Sequence, residues 1–182
     1  MSVNTSVLAI AGTWIGTPYR HQGSLKGVGC DCLGLVRGIW RELYGKEPET
    51  VPAYAPDWAE RACEERLIAA AGRHFLAVAS LAESRPGDLV LFRFRPHLAA
   101  KHAGILARSP DEDGAYGEGG DAASNEARAR IRPGSDRPDS DAFIHTPDAF
   151  IHAYEQSAVT LSALVPAWRR RIAGIYRFPE RI

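Results

Sequence analysis

The stretch GCDCLGLV, residues 29–36, decides the fold of this 182-residue chain. It joins a glycine-rich loop to a helix predicted over residues 32–44, whose apolar residues recur every three or four positions. Asp31 stands where a helix N-cap is expected, and Gly45 follows the last helical residue as a C-terminal glycine does. One continuous apolar stripe indicates that this helix is buried and central to the fold. The stripe consists of Cys32, Leu35, Val36, Ile39, Trp40 and Leu43.

Helical patterns fill the first half of the chain and strand patterns the second. Helices are predicted over residues 5–15 and 57–72, with Asp57 as the cap of the latter. After the Pro86-Gly87 turn the period changes to that of strands. Helices followed by strands imply an α+β fold, with an antiparallel sheet packed on the central helix. The strands are predicted over residues 88–94, 103–107, 149–153, 158–161 and 172–178.

Composition limits the class of protein. The length fits a single domain, 1–182, and 45% hydrophobic with 24% charged residues is ordinary for a globular protein. Basic and acidic residues number 22 each, so nucleic acid is not an expected partner. No apolar run reaches the roughly 18 residues of a membrane span. The first residues lack the pattern of a signal peptide, so we expect synthesis in the cytoplasm.

Two surface features are predicted from local composition. Residues 109–141 are rich in Gly, Ser, Asp, Arg and Pro, which predicts a surface insertion. The run Arg169-Arg170-Arg171 is interpreted as a solvated face, with contact to an anionic wall or partner as the alternative.

Cys32 is the candidate nucleophile. It opens the central helix, where free N–H groups and the helix dipole favour a thiolate, so we expect its pKa to be lowered. On position alone, an inert cysteine buried on the apolar stripe is an equal alternative. Cys30, Cys32 and Cys63 do not predict a disulfide framework. The spacing of Cys30 and Cys32 is also poor for zinc, so we expect neither a metal nor a cofactor.

A cysteine nucleophile needs a base, and two of the six histidines lie on predicted strands. His102 stands at the start of the strand over 103–107. His152 lies inside the strand over 149–153, where alternation turns its ring away from Ile151 and Ala153. A lone strand histidine is more often structural, but two of them near a helix-start cysteine favour a Cys–His site.

His145 is the alternative to His152, because residues 141–145 and 148–152 share the sequence DAFIH. Pro147 follows the first copy and removes a donor that a strand would need. The second copy instead runs into a predicted hairpin with residues 158–161. We therefore predict that His152 lies beside His102 and that His145 lies outside the site.

Four blocks in order resemble the NlpC-type family of cell-wall cysteine peptidases. They are GTPYRHQG (16–23), GCDCLGLV (29–36), RPGDLVLF (85–92), and KHAGI (101–105) with FIHA (150–153). The resemblance implies a papain-like α+β fold. It also implies roles for the site residues. Cys32 is implied as the nucleophile, His102 as the general base, and His152 as the residue that orients that base. Asp31 is implied to receive the free amino end of a stem peptide, and Tyr19 to donate a hydrogen bond to the oxyanion.

The activity implied by this resemblance is hydrolysis of peptidoglycan stem peptides, by family analogy at a D-glutamyl–diamino acid bond. The chain departs from the family pattern with Leu33 where serine is usual, and with His21-Gln22 where Trp-Gly is common. The variant motifs look like the phage-associated branch, which implies tail or baseplate proteins as partners and a particle-associated enzyme acting on the wall. Two alternatives are a non-catalytic tail-tip assembly protein and a Cys–His amidase or acyltransferase.

Overall fold

The computed structural model describes residues 2–55, 64–109 and 146–180. Helices and antiparallel strands are both present, which confirms the predicted α+β class. No helix in these ranges is long and apolar enough to cross a membrane.

The elements in chain order are α1 (Val3–Thr13), β1 (Ser24–Leu25), β2 (Gly29–Cys30), α2 (Cys32–Tyr44), α3 (Arg66–His74), β3 (Leu76–Val78), a 3-10 turn (Leu81–Glu83), β4 (Leu89–Phe92), β5 (His102–Ala107), β6 (Ala149–Ala153), β7 (Val159–Ala163), α4 (Pro166–Arg169) and β8 (Ile172–Arg177).

Six strands form one antiparallel sheet in the order β3-β8-β4-β5-β6-β7. The sequence-adjacent strands β6 and β7 pair as the predicted hairpin, with His152 opposite Thr160. Strand β5 lies between β4 and β6, and Ile105 pairs with Ile151. The short ribbon β1–β2 pairs separately and leads directly into α2.

The main core lies between one face of the sheet and the helices α1 and α2. Leu35 and Ile39 of α2 are fully buried there against residues that alternate along the strands, such as Ile105 and Ile151. The opposite face carries a second apolar cluster that includes Phe92, Leu106 and Phe150, covered in part by Trp168 of α4. Because side chains alternate along a strand, His102 and His152 stand on this second face.

Helix α2 has the predicted bounds and caps. Asp31 accepts a hydrogen bond from the Gly34 N–H at 2.8 Å, and Gly45 ends the helix with a φ of 89°. A positive φ is strained for residues with a Cβ, which explains a glycine at this position.

Some predicted bounds differ from the structure. Helix α1 begins at Val3 rather than near residue 5, because the Ser2 hydroxyl accepts the Thr5 N–H at 3.3 Å. The predicted helix over 57–72 does not run unbroken, since residues 64 and 65 are not helical and α3 begins at Arg66. Asp57, Cys63, His145 and residues 110–141 of the predicted insertion lie outside the described residues.

The block RPGDLVLF serves the fold. Asp88 is fully buried, and its two carboxylate oxygens accept from Arg177 Nε at 2.9 Å and Nη2 at 2.8 Å. The same carboxylate accepts from Asn4 Nδ2 and from the Arg85 N–H, both at 2.8 Å. A buried carboxylate is tolerated only when it is paired and hydrogen-bonded in this way. The cluster fixes α1 to β4 and β8, which positions the helices over the sheet.

Candidate active site

A cavity of about 530 Å³ lies where the N-terminus of α2 meets the first residue of β5 and the end of β6. All five residues that the sequence singled out contribute to its walls: Tyr19, Asp31, Cys32, His102 and His152. Among residues 2–55, 64–109 and 146–180, no cluster of three His, Cys, Asp or Glu side chains could hold a metal ion. The sequence did not single out several other lining residues, namely Tyr54, Phe94, Lys101, Glu155 and Trp168.

The Cys32 thiol faces the cavity from the first turn of α2 and is partly exposed. Its sulfur donates a hydrogen bond to the Lys101 carbonyl oxygen at 3.8 Å. Burial, and next the charge of Asp31, raise the pKa of this thiol to about 12, although backbone N–H groups of Ala103, Leu33 and Cys32 act in the opposite direction. The expected lowering of this pKa is therefore wrong, because desolvation outweighs the helix N-terminus.

The two strand histidines form a hydrogen-bonded pair. His102 Nε2 and His152 Nδ1 are 2.8 Å apart, so the predicted proximity of these rings is observed. His152 Nε2 in turn lies 2.9 Å from the Ser162 Oγ of β7. Two hydrogen placements satisfy this chain, and one of them leaves His102 Nδ1 without a hydrogen and able to accept a proton.

Aromatic side chains hold both imidazole rings. Phe150 stacks on His152 with ring centroids 4.4 Å apart, and Trp168 lies 5.8 Å from His152 and 5.9 Å from His102. The ring of Phe94 lies 6.0 Å from His102. Burial lowers the pKa of His102 to about 3, with His152 and Lys101 as smaller causes, and lowers that of His152 to about 4. Both imidazoles are therefore neutral at physiological pH.

The Asp31 carboxylate lines the same cavity and ties together three segments of the chain. Its Oδ1 caps α2, while its Oδ2 accepts from the Gln22 N–H at 2.7 Å and from the Tyr54 hydroxyl at 2.5 Å. The residue is only 3% exposed. The observed contacts are thus structural, and the binding of a substrate amine by Asp31 stays a prediction.

Tyr19 and Tyr54 place two hydroxyl groups in this cavity. Burial, followed by the charge of Asp31, raises the pKa of Tyr19 to about 12. The pKa of Tyr54 is also raised, first by burial and then by its hydrogen bond to Asp31. Both hydroxyls therefore keep their hydrogen and can donate it.

The departure from the family pattern at residues 21–22 has a structural role. His21 Nε2 lies 2.8 Å from the Tyr54 carbonyl oxygen, and Gln22 Nε2 donates to the same oxygen at 3.1 Å. The His21 ring also contacts the Tyr54 ring edge-on at 5.2 Å. These contacts fix Tyr54 in the cavity wall. Tyr54 was missed because it lies in an irregular segment with no helix or strand pattern.

The sequence and the fold both resemble those of known proteins. Residues 16–177 match the NlpC/P60 family. An NLP/P60 family protein from Staphylococcus aureus has 16% identity and a TM-score of 0.51, and one from Bacillus cereus has 17% and 0.53. The match covers 98% and 96% of this chain, but only 42% and 40% of those two proteins. No curated protein matches the sequence.

A third solved structure is of similar length. It is the NlpC/p60 domain of the peptidoglycan hydrolase SagA, with 15% identity and a TM-score of 0.52. The match covers 96% of this chain and 98% of that domain. At such low identities the likeness concerns the fold, and it confirms the predicted papain-like α+β architecture.

We expect the free energy of unfolding to fall as the pH is lowered from about 7 to about 4. The unfolded histidines take up protons near pH 6.5, whereas in the folded state the pKa of His152 is about 4 and that of His102 about 3. Between these values the unfolded chain binds more protons, so acidification favours unfolding. Urea unfolding at about pH 7 and about pH 4.5 measures the difference.

The matched variants for this experiment are His152→Gln and His97→Gln. The first removes a buried titrating group and should flatten the dependence of stability on pH. His97 is exposed in the turn before β5, and its replacement should keep the wild-type slope. An unchanged slope in His152→Gln would show that this ring does not produce the effect.

Proposed function

We propose that this chain, which belongs to the NlpC/P60 family, is a cysteine peptidase that hydrolyses amide bonds in peptidoglycan stem peptides. The observation that carries the proposal is that a helix-start cysteine and a hydrogen-bonded histidine pair line one cavity. The similar fold of a peptidoglycan hydrolase domain supports the class of substrate. Family analogy directs the proposal to a D-glutamyl–diamino acid bond.

In the proposed mechanism, the Cys32 sulfur attacks the carbonyl carbon while its proton passes to His102 Nδ1. This nitrogen is assigned because His102 Nε2 is already engaged by His152. In this step the thiol gives up its hydrogen bond to the Lys101 carbonyl and donates to the imidazole of His102 instead. Because burial keeps thiol and imidazole neutral, the proton moves during attack rather than beforehand.

The tetrahedral intermediate then collapses with cleavage of the C–N bond. The proton on His102 Nδ1 passes to the leaving amine, and an acyl-thioester remains on Cys32. Water then attacks the thioester carbonyl while it gives a proton to the same nitrogen. The C–S bond breaks, this proton passes to the sulfur, and the carboxylic acid product and the Cys32 thiol are released. The Tyr19 hydroxyl and the Cys32 N–H at the start of α2 are the proposed donors to the oxyanion.

The motif variant also leads us to propose that the enzyme is associated with a phage-type tail or baseplate and acts on the wall from a delivered particle. Residues 16–23 and 29–36 support this placement by resemblance. Purified particles from producing cells should contain the chain in fixed stoichiometry with tail proteins, as measured by quantitative mass spectrometry. Its presence only in the soluble cell fraction would contradict the placement.

Replacement of the nucleophile is the direct test of the chemistry. Cys32→Ala should abolish the release of new amino groups from purified cell walls while the thermal unfolding midpoint is retained. Cys30→Ala is the matched control, because Cys30 is fully buried in the core two residues away. This control and Cys63→Ala should keep most of the activity.

The products of the same assay separate the alternatives. A peptidase frees the amino group of a diamino acid, whereas an amidase frees a different amine and an acyltransferase forms a new amide. A non-catalytic assembly protein would release nothing. Turnover by Cys32→Ala equal to that of the wild type would rule out the proposed nucleophile.

The histidine chain predicts graded effects on turnover. His152→Ala should reduce turnover by about 10² or more through lost orientation of the base, by analogy with catalytic triads. Ser162→Ala should reduce it about fivefold, since a neutral hydrogen bond contributes about 1 kcal/mol. Ser162→Thr keeps a hydroxyl and should restore the rate, whereas His145→Ala should have little effect. A Ser162→Thr variant as slow as Ser162→Ala would contradict the positioning role.

A further inference from the structure

Arg171 extends from the junction of α4 and β8 into the wall of the active-site cavity. Its backbone is held on both sides, because its N–H donates to the Trp168 carbonyl at 2.9 Å and its carbonyl accepts from the Arg93 N–H at 2.7 Å. The residue is exposed, so its side chain lies in contact with solvent. The backbone of Arg171 is therefore anchored while its charged group remains accessible.

The guanidinium of Arg171 rests on two aromatic rings. It lies 5.5 Å from the centroid of Phe94 and 5.6 Å from that of Trp168. Both distances are within the range of cation–π attraction. The contact limits the positions of a long side chain, which reduces the conformational entropy lost when the group binds a ligand.

Arg171 differs from its neighbours in the arginine run. Arg169 turns away, and its Nε donates to the Leu164 carbonyl at 2.8 Å. Arg170 is exposed and does not line the cavity. Within the described part of the chain, Arg171 forms no ion pair with an Asp or Glu side chain. One arginine of a run that was interpreted as a solvated face thus presents its charge to the active site.

The aromatic rings that support Arg171 also support the proposed base. Phe94 lies 6.0 Å and Trp168 5.9 Å from the His102 ring. In the proposed mechanism His102 protonates the leaving amine, so the leaving residue lies on this side of the cavity. The carboxylates of Asp31 and Glu155 also line the cavity, and they would repel an anionic group placed beside them.

We propose that Arg171 is a specificity-determining residue that binds a carboxylate of the leaving amino acid. The proposal rests on the proposed function for the identity of the reaction, and it adds the residue that would distinguish an anionic leaving residue from a neutral one. A guanidinium fits a carboxylate through two parallel N–H donors, which a lysine could not reproduce. Because Arg171 is exposed to water, the expected gain in affinity is about fivefold at most.

The test is calorimetric binding to the inactive Cys32→Ala variant. The probes are two forms of L-alanyl-γ-D-glutamyl-diaminopimelate, with the carboxylates of the diaminopimelate residue either free or converted to amides. The free form should bind up to about fivefold more tightly than the amide form. Each further variant is made in the Cys32→Ala background. Arg171→Gln should make the two affinities equal, and Arg171→Lys should keep part of the preference. The matched control Arg170→Gln should keep all of the preference.

The outcomes separate this proposal from the proposed function. Three outcomes would overturn the role of Arg171. The preference could survive Arg171→Gln, both peptides could bind equally to Cys32→Ala, or neither peptide could bind detectably. A different result would be a preference that depends on Arg171 while the wild-type protein hydrolyses neither peptide. That result would support the carboxylate site and overturn the proposed peptidase activity. Thermal unfolding midpoints within about 3 °C of the parent show that the variants are folded.

Discussion

The arrangement of the active site depends on one buried carboxylate, that of Asp31. A charged group with so little exposure must have its hydrogen-bonding capacity satisfied, and here the donors come from three parts of the chain, at Gly34, Gln22 and Tyr54. The requirement brings the glycine-rich loop against the start of α2. It also explains Gly34, because a Cβ there would stand 1.7 Å from the Gly23 carbonyl oxygen. The cap of α2, the position of the glycine-rich loop and the placement of Tyr54 in the cavity wall therefore all depend on the Asp31 carboxylate.

Burial sets the resting state of the proposed catalytic groups. A thiol with a raised pKa and an imidazole with a lowered pKa do not form a stable ion pair before substrate arrives. His152 is neutral as well, so it fixes the ring of His102 without supplying a negative charge to stabilise the imidazolium. In this mechanism the developing charges must stabilise each other in the transition state, where oxyanion donors contribute most. Burial thus suppresses the reactivity of the free thiol, and in this mechanism activation depends on substrate binding.

Local sequence patterns predicted the elements that carry the chemistry. The stripe and caps of α2 predicted the bounds of that helix, and alternation in β6 predicted that His152 faces away from Ile151. Tyr54 and Arg171 line the same cavity as Cys32 because segments distant in sequence come together, which no local period encodes. The pKa of Cys32 was mispredicted for the same reason, since the helix start is visible in the sequence whereas the burying walls are tertiary. Local rules therefore predicted the helix and strand positions of the candidate residues better than their environment.

The departures from the NlpC-type pattern lie among the side chains that surround the candidate catalytic residues. Leu33 replaces the usual serine and lines both the active-site cavity and a second, more apolar cavity of about 440 Å³ beside it. Tyr54 borders the same two cavities and is held by His21 and Gln22, which replace the common Trp-Gly. None of these side chains hydrogen-bonds the sulfur within the described part of the chain. The substitutions therefore alter the shape and polarity of the wall that a substrate would contact, while Cys32 and the histidine pair still line one cavity.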